Sequence, residues 1–217
     1  MNNDWRKLTA AILVAAIFWF YMFSPWTEGR PNFWLLMSCA AATLTSLAVA
    51  FTPDRKALFK IEKPFLQIAA GILIAIVLWG IFWVGNKLSA LMFDFARPEV
   101  DAVYAMKTGL PSGIIALLLL LLIGPAEELF WRGYVQRTLS RILPGNRAAT
   151  MAFILTALIY ALVHLWSFNF MLIMAALVAG AVWGLIYMLF PKALPALIIS
   201  HALWDALVFV ILPPTLC

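Results

Sequence analysis

Charge is scarce in this chain. Of its 217 residues 12% are Asp, Glu, Lys or Arg, 65% are hydrophobic, and mean hydropathy is +0.98. That balance lies far outside the mix of a water-soluble globular domain. Strict apolar–polar alternation is missing too, which excludes an outer-membrane barrel. The two cysteines, Cys39 and Cys217, lie far apart and supply neither a disulfide framework nor metal-ligand spacing. No internal repeat and no low-complexity stretch occurs. The first apolar run, residues 8–23, follows Asp4-Trp-Arg-Lys7 as a signal peptide would. It ends in Tyr21-Met-Phe-Ser-Pro-Trp, without a small-residue cleavage site, so it is expected to stay as a first span.

What the chain does have is apolar runs near the roughly 20 residues a helix needs to cross a bilayer. They fall at about 8–23, 33–51, 65–84, 112 onward, 148–166, 170–190 and 194–212. The expected fold is all-α, a polytopic helical membrane protein of about seven transmembrane helices in one integral domain. Residues 1–111 hold the N-terminal helices and an interfacial segment; residues 112–217 hold the helical core that carries the chemistry. Leu88, Leu91, Met92 and Phe95, at helical spacing in the polar connection 86–111, predict a short interfacial helix. Basic residues number eleven at the N-terminus and in the loops after spans two, four and six, against Arg30, Lys87, Arg97 and Lys107 on the other side. The positive-inside rule then predicts a cytoplasmic N-terminus and an outside C-terminus; the expected location is a plasma membrane of bacterial type. Topology thus accounts for the net charge of +5 without nucleic acid as a partner.

Six ionisable side chains sit where hydrocarbon is expected: Glu127, Glu128, Arg132, His164, His201 and Asp205. Each is costly there and points by default to a functional site. Glu128 and Arg132 are four residues apart and share a helix face, as do His201 and Asp205. Glu127 is turned about 100° from Glu128 and needs another partner. Counted from the turn Pro144-Gly145-Asn146, Glu127 and His164 come out at one depth. The same counting leaves His201 about 15 Å off level. Pro191 and Pro195, or a break near Trp166-Ser-Phe-Asn169, would have to absorb the difference. A packing explanation exists for single members: membrane histidines bridge helices, and Arg132 can snorkel. Six together, with no stray buried charge elsewhere, favour a cluster. Gly180 and Gly184 suit close helix packing. The ten tryptophans suit interface anchoring, with Trp131, Trp166 and Trp204 near enough to line a cavity.

A carboxylate can take a proton from water and later deliver it. A histidine can share that water, and other donors can stabilise an oxyanion. Together these perform amide hydrolysis. No serine or cysteine stands in a nucleophile motif, and Ser200 points to another face than His201. Zinc held by Glu127, His164 and His201 is chemically allowed, although the H-E-x-x-H spacing of zinc proteases is missing.

Glu127-Glu128-x-x-x-Arg132, Tyr160-x-x-x-His164 and His201-x-x-x-Asp205 together resemble the CPBP (CAAX-processing and bacteriocin-processing, or Abi) family of intramembrane proteases, over about residues 112–212. Two positions depart from the family pattern: Tyr160 stands where phenylalanine is usual, and Asp205 where asparagine is commoner. The resemblance implies an intramembrane endopeptidase with a site open to the cytoplasm. It implies that Glu127 with His164 activates water, that His201 with Asp205 faces the carbonyl oxygen, and that Glu128 and Arg132 fix the motif. The expected substrate is a peptide or protein, with a C-terminal lipidated or membrane-anchoring segment among the options, in contact with membrane lipid. The family has been described both as metal-dependent and as glutamic; with two histidines available, no cofactor is the expectation and zinc the alternative. Other readings of the same cluster are a proton-coupled transporter, or a non-catalytic immunity or scaffold protein.

Overall fold

The structure is a computed structural model describing residues 2–27, 29, 32–106 and 109–214. Glu28, Arg30, Lys107 and Cys217 lie outside the described residues. Among the described residues eight main helices follow in order: α1 Asn2–Phe23, α2 Phe33–Phe51, α3 Pro64–Met92, α4 Ala96–Ala105, α5 Ser112–Ile142, α6 Ala148–Val163, α7 Phe170–Leu189 and α8 Leu194–Ala206. Among the described residues there is no strand, and all of these segments but α4 belong to the seven stretches long and apolar enough to cross a membrane. The chain is a multi-pass integral membrane protein.

Local sequence explains the ends. Asn32 and Asn169 cap α2 and α7, their side chains accepting from the amides of Leu35 and Leu172. Pro64 opens α3 at a first-turn position where its missing N–H costs nothing. The outer faces stay apolar, with Phe65, Leu91 and Leu121 more than 70% exposed, as a lipid-facing surface requires. In the α2–α3 loop, the exposed Glu62 accepts from Lys60 and from Lys192 before α8, and these partners hold its carboxyl down at about 2.

Two expectations change. The helix in the polar connection is not built from Leu88, Leu91 and Met92. Those residues prolong α3 to Met92, because nothing breaks the helix before Phe93 turns extended. The short helix is α4, one step later. It is tied to the bundle by Asn169 Nδ2 donating to the Glu99 carbonyl (2.7 Å), the Met171 amide donating to the Glu99 carboxylate (2.8 Å), and the Tyr104 hydroxyl donating to the Val208 carbonyl (3.1 Å). Burial raises the Tyr104 pKa to about 12. The tryptophans are not mainly anchors either: Trp19, Trp34, Trp131, Trp183 and Trp204 are buried.

The depth mismatch disappears because the turns are not level. Gly133 packs against Leu194, the first residue of α8; a Cβ there would lie 3.3 Å from Leu194 Cδ2. The α5–α6 hairpin therefore projects about nine residues, or ~14 Å, past the α7–α8 turn. That extra length, rather than a proline break, brings His201 level with Glu128.

Candidate active site

Helix α5 is irregular where it carries the carboxylates. Leu119–Ile123 and Leu129–Gln136 are wound as π-helix, with one α-turn, Gly124–Glu128, between them. Pro125 offers no amide to the helical ladder, so the hydrogen-bonding pattern must change around it. π-turns inside helices recur at functional sites. Gly124 faces Ala202 of α8 so closely that a Cβ would sit 2.7 Å from the Ala202 Cα. This contact lets the α8 histidine reach the α5 carboxylates. On the α6–α7 side, side chains at Gly180 and Gly184 would strike the rings of Tyr160 and Phe153, which bears out their close-packing role.

Glu128 is the buried hub. Its Oε1 accepts from Arg132 Nη1 at 2.8 Å and pairs with His201 Nδ1 at 2.7 Å. Arg132 also donates to the Gly180 carbonyl at 3.2 Å and lies over the rings of Tyr160 and Trp183. His201 stacks on Trp183, centroids 3.9 Å apart and planes 17° from parallel. Ser200, on its other face as expected, accepts from the Trp183 indole at 3.1 Å and so fixes that stack. The His201 Nε2 lies 3.6 Å from Asp205 Oδ2, beyond hydrogen-bond range.

Glu127 finds its separate partner in Tyr160, whose hydroxyl donates to Oε2 at 2.8 Å. His164, one turn further along the chain, is engaged at both ring nitrogens. Nδ1 lies 2.7 Å from the Tyr160 carbonyl, which can only accept, so Nδ1 carries the proton; Nε2 then accepts from the Trp19 indole of α1 at 2.9 Å. Sequence reasoning missed both the Tyr160 hydroxyl and Trp19. The tyrosine was visible as a polar departure at an aromatic position, whereas nothing in the sequence links Trp19 to His164.

Glu127, Tyr160, His164, His201, Trp204 and Asp205 line one cavity of about 430 Å³. Glu128 and Arg132 lie behind its wall, fully buried. Trp131 packs behind Tyr160, and Trp166 is partly exposed away from the cavity. Four of the six expected residues thus share one chamber, and the other two brace it. Among the described residues no three His, Cys, Asp or Glu side chains are grouped to hold a metal. The zinc set that stood as the alternative, Glu127, His164 and His201, does not fit at His164, whose two ring nitrogens are taken by the Tyr160 carbonyl and the Trp19 indole.

Residues 109–207 match the family model described as type II CAAX prenyl endopeptidase Rce1-like. The chain carries an Rce1-like domain. The match spans α5 to α8 and all six candidate residues, and bears out the resemblance drawn from the three motifs. The Rce1-like family is one of CAAX-type proteases, hydrolases whose substrates are peptides or proteins and whose setting is the membrane. No curated protein and no solved structure matches the chain.

Proposed function

We propose that the Rce1-like domain is an endopeptidase in which Glu127 activates the attacking water. The observation that carries this reading is the meeting of two braced groups in one apolar chamber. Glu127 is held by Tyr160, and His201 is held by Glu128, on the walls of the same cavity. A carboxylate fixed on one oxygen keeps the other for a water. As the water attacks the scissile carbonyl, Glu127 takes its proton and passes it to the leaving amine. His201 faces the carbonyl oxygen, its ring held by Glu128 and Trp183, with the Asp205 carboxylate 3.6 Å from its Nε2. In this reading His164 positions Tyr160 and the cavity wall rather than sharing the water. The chemistry needs no metal. The substrate is a peptide segment at the membrane, either a lipidated C-terminus or an anchoring tail.

Replacing Glu127→Gln keeps shape and the hydrogen bond from Tyr160 but removes the base. Terminal-peptide mass spectrometry of membranes containing the wild-type chain is expected to reveal new peptide ends, formed about 10²–10⁴-fold more slowly with the variant. Identical ends at identical rates with Glu127→Gln in a folded protein would remove the peptidase assignment.

A further inference from the structure

Gln136 is a buried amide that none of the three motifs contains. It is 1% exposed, and its Nε2 donates to the Gly184 carbonyl of α7 at 2.8 Å. Its Oε1 has no hydrogen-bond partner among the described residues. Burying an amide for a single bond is unfavourable, so that bond calls for an explanation. Four residues back, Arg132 donates to the Gly180 carbonyl. The two ties hold consecutive turns of α7, and Trp183 lies between the held positions. Its ring is the one on which His201 stacks. A third tie closes the loop: the Trp183 indole donates to Ser200, the residue before His201 on α8. Trp204 meets the same indole edge-on, centroids 5.6 Å apart.

The Glu128 bond holds His201 at one atom, Nδ1, and a ring held at one atom can still tilt about it. A flat neighbour at 3.9 Å stops the tilt and sets where Nε2 points. We propose that Gln136, Trp183 and Ser200 are positioning residues, which together clamp an indole plate that fixes the plane of His201. None of the three lines the cavity, so each acts on the reaction through His201. The catalytic half of the proposal rests on the peptidase reading; the clamp itself does not.

Proton NMR of the full chain in detergent, with histidine labelled with carbon-13 at Cε1, tests it. The chain has two histidines, and His164→Gln assigns the two ring signals. Trp183→Leu is expected to move the His201 signal downfield, as the shielding of the stacked indole is lost. Ser200→Ala and Gln136→Met each remove one tie and are expected to move it part of the way, with the His164 signal in place. Formation of new peptide ends is expected to slow about ten- to hundredfold in Trp183→Leu, and less in the other two, in the order of their signal shifts. In the Trp183→Phe background Ser200→Ala should add nothing, because its hydroxyl acts on the indole N–H alone. A His201 signal that stays put in a folded Trp183→Leu protein overturns the clamp. Should that variant fail to fold, seen as displacement of the His164 signal, a His201 signal unchanged in both Ser200→Ala and Gln136→Met overturns it equally. Slow cleavage with the His201 signal unmoved, or a moved signal with cleavage intact, overturns the positioning role. Wild-type membranes that form no new ends remove the peptidase reading instead, and the histidine signal still decides the clamp.

Discussion

Tyr160 places a phenol where phenylalanine would leave the Glu127 carboxylate without this donor. A hydrogen bond to a charged group contributes about 1.5–3 kcal/mol, so Tyr160→Phe is expected to lower kcat roughly ten- to hundredfold. KM should hardly move, since the hydroxyl touches Glu127, the proposed base, and not the peptide. An unchanged kcat would mean that Glu127 is positioned by its backbone alone. Trp19 acts one residue further out. Its indole N–H occupies the ring nitrogen that His164 would otherwise offer to the cavity. Trp19→Phe keeps the bulk and frees that nitrogen, at a cost of about 1–3 kcal/mol for the lost bond. The variant is expected to acquire inhibition by zinc that a chelator reverses, while the wild type shows none. The same zinc response in both proteins would show that the indole does not guard His164.

At the scale of helices, the decisive contact is α5 against α8. The Glu128–His201 bond crosses between them, and it forms because Gly124 lets the two backbones touch beside Ala202. A methyl group at Gly124 has only backbone to meet, so neither partner can swing aside. Gly124→Ala is expected to destabilise the fold by about 1–3 kcal/mol, as other overpacked interiors do. Activity should fall further than stability alone explains, because His201 is carried away from Glu128. Thermal unfolding in detergent, alongside cleavage assays well below the melting temperature, separates the two effects. Full activity in a folded Gly124→Ala protein would deny that this helix approach sets the site.

For the molecule as a whole, the matched residues 109–207 do not enclose the cavity by themselves. Walls from α1, α2, α3 and α4 close it, and Trp19 reaches in from the first helix to bond His164. A fragment of residues 109–217 is therefore expected to lack cleavage when expressed alone and to regain it when residues 1–108 are supplied as a second chain. Cleavage by the lone fragment would reduce the N-terminal helices to a membrane anchor.

Much of this was written in composition and spacing. Apolar runs of about twenty residues suit a bilayer, which permits helices or closed barrels, and without strict alternation only helices remain. Residues four apart on one helix share a face, so the Glu128–Arg132 pair was legible without a structure. Placing six ionisable groups in hydrocarbon was a signal in itself, because each must be offset by a partner. The partners across helices were not legible. Residue counting assumed turns at one level, and only the unequal hairpins set His201 beside Glu128. The Tyr160 bond to Glu127, the Trp19 bond to His164 and the stack of Trp183 on His201 depend on how helices rotate and slide against one another. Those choices are made by side-chain packing over many distant positions, which local sequence does not encode.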